Sequence, residues 1–350
     1  MRNQTYDILW KKLHVAAKNE RLLLRVMFEL TYRCNFSCLH CYVPSRYKSR
    51  KELDTKSVFS LLDQLKKIGC FYLGFTGGEP FARRDINDIM WHAKQLGFVT
   101  MIYTNGSLID RFHARELVRI KPNRVDITVP GFSKPVFEKI SGVVNSRDRV
   151  FKVIRYLREK GVTVGIKSCV LESNYTELDK IRHFAESLHI PYRLDTLLSY
   201  RLDGSREPFR YKKKYSAGGG ISFPETETTV CRNADSLLST GSMEHSLFKC
   251  GVGFQQAAIT PDGKMKMCLM IDYPRYPIND SNLSGQWERM RALIDSIQPG
   301  QHYQCASCYL YEICLWCPAR AWLYKKNFTS CDPVCRSHAM RFKEDIFANG

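Results

Sequence analysis

The segment RVMFELTYRCNFSCLHCY, residues 25–42, decides how this chain folds and holds its most informative motif. Its first seven residues, Arg25–Thr31, predict a strand. Three cysteines follow directly with the spacing Cys-x3-Cys-x2-Cys, and they are Cys34, Cys38 and Cys41. A strand followed directly by three closely spaced cysteines indicates a metal-binding loop.

Outward from this segment, strand and helix patterns alternate. Further strands are predicted at Cys70–Thr76, Phe98–Tyr103, Arg124–Val129, Val162–Val170 and Tyr192–Leu197. Helices are predicted after an N-cap at Asp54, where apolar residues recur at helical spacing to Ile68, and at Asp85–Gln95, Arg147–Lys160 and Tyr175–Leu188. Six strand–helix repeats imply a parallel sheet with helices outside it, and right-handed crossovers favour a partial (β/α)6 TIM-like barrel.

Glycine and proline signals around residues 200–230 mark the end of this barrel. We expect an α/β protein in three parts. They are an N-terminal extension at 1–24, the barrel at 25–225, and a small cysteine-rich α+β unit at 226–350. In such barrels the chemistry lies in loops at the C-terminal ends of the strands, where the cysteine triad also falls.

The composition narrows the class of protein. Apolar residues make up 44% of the chain, as in ordinary globular proteins, and no apolar run approaches the length of a membrane span. No signal peptide is recognisable, so we expect a cytoplasmic protein whose 14 cysteines bind metal or act in redox chemistry. Lys and Arg exceed Asp and Glu by 53 − 35 = 18, but the charge is dispersed. A solvated basic surface is favoured over an acidic peptide partner, and both over nucleic acid.

The triad by itself leaves two kinds of metal site open. Three thiolates hold three irons of a four-iron, four-sulfur cluster and leave one iron open, or they bind zinc with His40 as fourth ligand. A second motif, Thr76-Gly-Gly-Glu-Pro80, follows the second predicted strand. Its glycines allow a ligand to approach the backbone, and its carboxylate can accept hydrogen bonds from an ammonium group. In isolation this loop is equally typical of a tight turn before a helix.

The two motifs together resemble those of radical S-adenosylmethionine (SAM) enzymes, over about residues 25–200. The resemblance implies that the triad binds a [4Fe-4S] cluster whose open iron is chelated by SAM. It also implies that the reduced cluster cleaves SAM to a 5′-deoxyadenosyl radical, which takes a hydrogen atom from the substrate. The implied cofactor-binding residues are His40 near the adenine, the loop residues Gly77, Gly78, Glu79 and Pro80, and the strand-end residues Asn105 and Thr128. The family often has Ser-x-Asp-Gly where this chain has Thr128-Val-Pro-Gly131.

The C-terminal part contains Cys305-x2-Cys308-x5-Cys314-x2-Cys317, a spacing that a zinc ribbon would also explain. This part resembles the SPASM extension of radical enzymes that modify peptides, although that family has x3 in the last step. The resemblance implies two auxiliary [4Fe-4S] clusters. One set of ligands is Cys305, Cys308, Cys314 and Cys335, and the other is Cys250, Cys268 and Cys317, with Cys231 or an open site in the fourth place.

Three cysteines remain. Cys70 and Cys169 lie at or in apolar strands and are interpreted as buried thiols, while Cys331 is a candidate spare ligand or hydrogen-atom donor.

The favoured function is a radical SAM enzyme that matures a ribosomally made peptide. A separate small leader-binding protein and a reductant such as flavodoxin or ferredoxin would be its partners, and no membrane partner is expected. The alternatives are radical oxidation of a tetrapyrrole or other small molecule and, in a different class, a zinc-bearing RNA-binding module without catalysis. The sequence does not identify the bond that is formed or broken.

Overall fold

The computed structural model describes residues 12, 15–16, 19–213, 247–248, 250–299, 303, 305, 308–310, 314 and 316–348, with side chains described up to residue 340. The expected domain boundary at 225/226 and the candidate ligand Cys231 lie outside these residues.

The first part of the described chain alternates parallel strands and helices. The strands are β1 Arg25–Thr31, β2 Tyr72–Gly77, β3 Val99–Thr104, β4 Arg124–Thr128, β5 Val164–Cys169 and β6 Tyr192–Asp195. The helices are α1 Thr55–Lys67, α2 Ile86–Gln95, α3 Arg111–Ile120, α4 Lys134–Ser141, α5 Ser146–Glu159 and α6 Leu178–Ser187. All six predicted strands are confirmed, with their ends displaced by at most two residues, and the N-cap at Asp54 is confirmed by its bond from the Ser57 amide. Helices α3 and α4 were not predicted.

Strands of the C-terminal part continue the same sheet. They are β7 Gln256–Ile259, β8 Lys264–Lys266 and β9 Tyr276–Pro277, and the strand order is β6-β5-β4-β3-β2-β1-β7-β8-β9. Strand β7 runs parallel to β1, whereas β8 and β9 are antiparallel additions. The cysteine-rich unit therefore shares a sheet with the partial barrel. Its helices are α7 Leu283–Ser296, α8 Pro318–Lys325 and α9 Pro333–Ala348.

The two faces of the strands differ in chemistry because successive side chains point to opposite sides. On one face of β1, Val26, Phe28 and Leu30 are buried in the same core as the apolar face of α1. On the other face, β4 presents Arg124 and Asp126. The barrel therefore has an apolar layer under its helices and a polar interior.

Candidate functional site

The triad lies in the loop after β1, as predicted. Cys34, Cys38 and Cys41 are each partly buried. Burial raises the pKa of Cys34 to about 11, and burial together with the charges of the other two thiols raises the pKa of Cys38 further. Within the described parts of the chain, no three Cys, His, Asp or Glu side chains stand close enough together to hold a single metal ion. The three thiols are nevertheless close enough to influence one another.

The Gly-Gly-Glu-Pro loop is pressed against the triad loop. The Gly78 amide donates to the Thr31 carbonyl at 2.7 Å, and the Glu79 amide donates to the Arg33 carbonyl at 2.8 Å. A Cβ atom added at Gly77 would collide with the Thr31 carbonyl, and one at Gly78 with the Arg33 carbonyl. Gly77 also has a φ of +121°, which other residues rarely adopt. The glycines are required because two backbone segments meet here.

The Glu79 carboxylate is fully buried and joins this loop to the end of β3. It accepts hydrogen bonds from the Thr104 hydroxyl at 2.6 Å, the Asn105 amide at 2.7 Å and the Phe81 amide at 3.1 Å. Burial raises the pKa of Glu79 to about 7, while these hydrogen bonds act in the opposite direction. Glu79 thus connects two loops by hydrogen bonds, and it is also a candidate for binding the cofactor.

Asn105 connects the third loop to the first. Its side-chain amide donates to the Asn35 side chain at 3.0 Å and lies 3.8 Å from the sulfur of Cys34. The structure therefore brings together the loops that follow β1, β2 and β3, which the sequence predicted separately. Thr128, at the end of β4, is partly buried and lies in register with Lys167 of β5.

His40 contributes an unsatisfied polar atom to the same edge. Its ring nitrogen Nδ1 is buried and has no hydrogen-bond partner among the described residues. Burial lowers the pKa of His40 to about 4, and the charge of Asp195, at the end of β6, acts against that shift. The ring is therefore neutral near pH 7 and retains an open hydrogen-bonding position.

Charged residues inside the barrel were missed by the sequence reasoning. Arg124 pairs with Asp126 at 2.7 Å, and Asp195 pairs with Arg193 at 3.0 Å and with Lys167 at 3.7 Å. The signal was present, because polar residues occupy alternate positions in strands that are otherwise apolar. These side chains form a polar lumen next to the three loops.

Cys70 and Cys169 differ in their surroundings. Cys70 is buried, and its thiol lies 3.6 Å from two backbone carbonyls, as a structural cysteine would. Cys169 ends β5 near Asp195 and the triad. Burial, followed by the charge of Asp195, raises its pKa to about 12, and Cys41 contributes to the same shift.

A buried ion pair links the triad loop to the C-terminal strands. Glu29 of β1 and Lys266 of β8 lie 2.7 Å apart, and both are 0% exposed. The hydroxyls of Tyr32 and Tyr42 each donate to Glu29 at 2.9 Å. Because Tyr42 directly follows the last triad cysteine, its hydrogen bond to Glu29 ties the end of the triad loop to this ion pair.

Seven of the described C-terminal cysteines fall into two neighbourhoods. Four of them line one pocket together with Leu310, Trp316 and Arg336, namely Cys305, Cys308, Cys314 and Cys331. In the other, Cys317 and Cys250 contribute, after burial, to raising the pKa of Cys268.

Cys335 belongs to neither of these two groups. Cys335 does not line the pocket. It is buried beside Asp332, with its Sγ 3.5 Å from that carboxylate, and Cys317 and Cys314 both influence its pKa. Its place as the fourth ligand of the first set stays a prediction, and Cys331 is the fourth cysteine that the pocket contains.

None of the helices that the structure describes is long and apolar enough to cross a membrane.

Comparison with known proteins finds a family model that matches the barrel. Residues 28–185 match the model described as the Radical SAM superfamily. The chain is 29% identical over 167 residues to the Fe-coproporphyrin III synthase of Methanosarcina barkeri, a match that covers 47% of this chain and 42% of the synthase. It is 25% identical over 334 residues to the PqqA peptide cyclase of Rhodopseudomonas palustris, covering 89% and 86% of the two chains.

Among solved structures, SuiB of Streptococcus suis bound to the precursor peptide SuiA has the same fold. The TM-score is 0.70 at 18% identity, over 96% of this chain and 82% of that one. The chain spans only 42–45% of the length of two curated relatives that it matches, the synthase and a second PqqA peptide cyclase, from Bradyrhizobium diazoefficiens.

Proposed function

We propose that this chain, which contains a radical SAM domain, is an enzyme that reductively cleaves SAM and takes a hydrogen atom from a peptide or protein. The observation that carries this proposal is the convergence of three loops at the C-terminal edge of the parallel strands. These are the triad loop, the Gly77–Pro80 loop and the loop at Asn105. That edge is where barrels of this kind carry their chemistry.

The residues at this edge fit a four-iron cluster and SAM. Cys34, Cys38 and Cys41 supply thiolates, the ligand type that iron–sulfur clusters use. The buried, unpartnered Nδ1 of His40 offers a place for a polar group of the cofactor. When bound, the reduced cluster supplies the electron that cleaves the sulfonium of SAM and releases a 5′-deoxyadenosyl radical.

The protein's own part in this chemistry is binding, orientation and exclusion of water. The Gly77–Pro80 loop would bind the methionyl amino group. A carboxylate has about four acceptor positions, and Glu79 already uses three for donors within the protein. An ammonium group would therefore take the remaining acceptor position of this carboxylate. Asn105 and Thr128 would contact the remainder of the cofactor from the strand ends.

A peptide is the favoured substrate, and the product would be a matured ribosomally made peptide. Two similar proteins support it, since one is a PqqA peptide cyclase and the other, SuiB, is seen bound to a precursor peptide. The polar lumen formed by Asp126, Lys167 and Asp195 gives a peptide hydrogen-bonding partners beside the three loops. A separate leader-binding protein and a flavodoxin or ferredoxin would complete the system.

The C-terminal cysteines would hold two auxiliary [4Fe-4S] clusters. The pocket that contains Cys305, Cys308 and Cys314 supports one of them, with Cys331 as the fourth cysteine that the structure offers and Cys335 as the one expected from sequence. The mutual influence of Cys250, Cys268 and Cys317 supports the other.

Oxidation of a tetrapyrrole is the second candidate, because a curated relative with 29% identity is an Fe-coproporphyrin III synthase. The two candidates differ in which compound is consumed. Peptides encoded beside the gene and an iron tetrapyrrole precursor of Fe-coproporphyrin III would each be incubated with the reduced enzyme and SAM. A change in the mass of a peptide, in step with 5′-deoxyadenosine formation, supports the peptide, and the same change in the tetrapyrrole supports the alternative.

Iron content and SAM cleavage test the proposal itself. After anaerobic reconstitution, three four-iron clusters predict about twelve irons per chain. Dithionite-reduced protein is expected to form 5′-deoxyadenosine, Cys38→Ala is expected to abolish it, and the matched control Cys70→Ala, which alters a buried cysteine away from the site, is expected to retain it. Zinc without iron would favour a non-catalytic module instead, and cleavage retained in Cys38→Ala would refute the ligand assignment.

A further inference from the structure

Arg320, in α8, is a buried cation, and one of its three guanidinium nitrogens makes no hydrogen bond to the described residues. Its side chain is 2% exposed. The Nε atom donates to Asp332 at 2.8 Å, and Nη1 donates to the Leu198 carbonyl at 2.7 Å. The third nitrogen, Nη2, is buried and has no hydrogen-bond partner among the described residues. A buried donor without a partner costs about 1–3 kcal/mol, so a partner is expected in the complete protein.

The side chains around Arg320 do not leave it free to turn toward another protein acceptor. The Asp332 carboxylate is itself fully buried, and it also accepts from the Tyr200 hydroxyl at 3.1 Å and from the Val334 amide at 3.0 Å. The guanidinium carbon lies 5.5 Å from the centre of the Tyr200 ring and 5.9 Å from that of Phe209. The guanidinium is therefore held in one position with Nη2 unpaired.

Two of the described cysteines lie close to this guanidinium. Arg320 follows Cys317 by one turn of α8, and its amide donates to the Cys317 carbonyl at 3.1 Å. The Sγ atom of Cys335 lies 3.5 Å from Oδ2 of Asp332, the same oxygen that accepts from Nε of Arg320 at 2.8 Å. The cation thus lies next to cysteines that the proposed auxiliary clusters would use as ligands.

We propose that Arg320 donates through Nη2 to a sulfur atom of the auxiliary cluster that Cys317 helps to hold, and that it thereby raises the reduction potential of that cluster. This inference rests on the proposed auxiliary clusters. Hydrogen bonds to the sulfurs and nearby charge are among the factors that set the potential of a cluster. A positively charged donor favours the reduced form, because that form carries one more negative charge. Arg320 is a positioning and tuning residue, since it acts through the cluster.

Arg320→Lys tests the hydrogen bond with little change in charge. It would be made in a chain that also carries Cys34→Ala, Cys38→Ala and Cys41→Ala, so that the auxiliary clusters alone give a signal. Midpoint potentials would be measured by redox titration followed by electron paramagnetic resonance. We expect the one-electron equilibrium of one cluster to shift at least about tenfold toward the oxidised form, which is about 59 mV, with about eight irons retained per chain.

The matched control is Arg83→Lys. Arg83 is also buried, pairs with an aspartate and donates to backbone carbonyls, but it lies on the barrel. Its replacement by Lys is therefore expected to leave the reduction potentials of both auxiliary clusters unchanged. If Arg320→Lys does not retain iron, Arg320→Gln decides, because it keeps a side-chain N–H donor but removes the positive charge, and a lower potential of the same cluster is expected.

Unchanged potentials in Arg320→Lys, or in its substitute where Arg320→Lys loses iron, would overturn the role of Arg320. A parent chain that lacks the triad and holds no iron would overturn the auxiliary clusters and this inference together. The radical SAM activity would still stand in that case if the full chain cleaves SAM.

Discussion

The buried pair of Glu29 and Lys266 gives the sharpest stability prediction, because its two members have different second partners. Removing one partner of a buried ion pair costs about 3–5 kcal/mol, since an uncompensated charge is left in the interior. After Lys266→Met, Glu29 keeps two hydroxyl donors, from Tyr32 and Tyr42. After Glu29→Gln, the ammonium group of Lys266 loses the carboxylate with which it pairs at 2.7 Å.

We therefore expect unequal losses in the free energy of unfolding. Lys266→Met is expected to cost about 3 kcal/mol and Glu29→Gln about 5 kcal/mol, the two ends of the range for broken buried pairs. The double variant is expected to lie within about 1 kcal/mol of the parent, because replacing both partners by neutral groups of similar size is often close to neutral. The coupling between the two positions is then several kcal/mol.

Anaerobic urea unfolding of the reconstituted parent, the two single variants and the double variant forms a complete double-mutant cycle. The surface pair of Arg291 and Glu288, at 2.9 Å on α7, is the matched control, and its cycle is expected to give at most about 1 kcal/mol. Additive losses at Glu29 and Lys266 would refute the account, because they would mean that the two charges do not stabilise each other. Equal single losses would contradict the role given to the tyrosines.

Three further predictions concern the three-loop edge. Burial raises the pKa of Glu79 to about 7, against its hydrogen bonds, so the folded protein keeps a proton there that the unfolded chain loses above its ordinary pKa of 4.5. The free energy of unfolding is therefore expected to fall by about 3 kcal/mol as the pH rises from 4.5 to 7, and urea unfolding across this range should lose that slope in Glu79→Gln. Asn105→Ala removes the hydrogen bonds to Asn35 and Ser107 and is expected to raise the KM for SAM about tenfold, and an unchanged KM would show that the third loop does not serve the cofactor. Burial lowers the pKa of His40 to about 4, so the ring is neutral, and His40→Phe is expected to keep the rate of 5′-deoxyadenosine formation within about tenfold of the parent. His40→Asp places a negative charge beside Asp195 and is expected to lower that rate by more than about tenfold. Similar rates in the two variants would contradict a close contact between His40 and the cofactor.

The barrel could be predicted because its signals are local. Strand β1 and the triad after it are contiguous in sequence, and the later strands are short runs that alternate with helical patterns. The pairing of β7 with β1 was not predictable in this way, because it joins segments more than two hundred residues apart and has no local signature.

The site was predictable where motifs are dense and was missed where single residues act together. The triad and the Gly77–Pro80 loop can be recognised from the spacing and type of their residues in the sequence. In the sequence the polar lumen is indicated only by Arg124 and Asp126 at alternate positions of one strand. In a parallel barrel this alternation predicts that both side chains point into the interior. The pairing of Glu29 with Lys266 and the grouping of Cys331 with the pocket cysteines depend on tertiary contacts that no local pattern encodes.

The central claim is that Cys34, Cys38 and Cys41 hold a cluster with one open iron that binds SAM directly. A chain in which the auxiliary ligands are replaced by alanine would be reduced, and its electron paramagnetic resonance spectrum would be recorded with and without SAM labelled with ¹⁵N in the methionyl amino group. The account predicts a changed spectrum and a measurable coupling to the labelled nitrogen. A full four-iron signal that SAM leaves unchanged, with no nitrogen coupling, would contradict it.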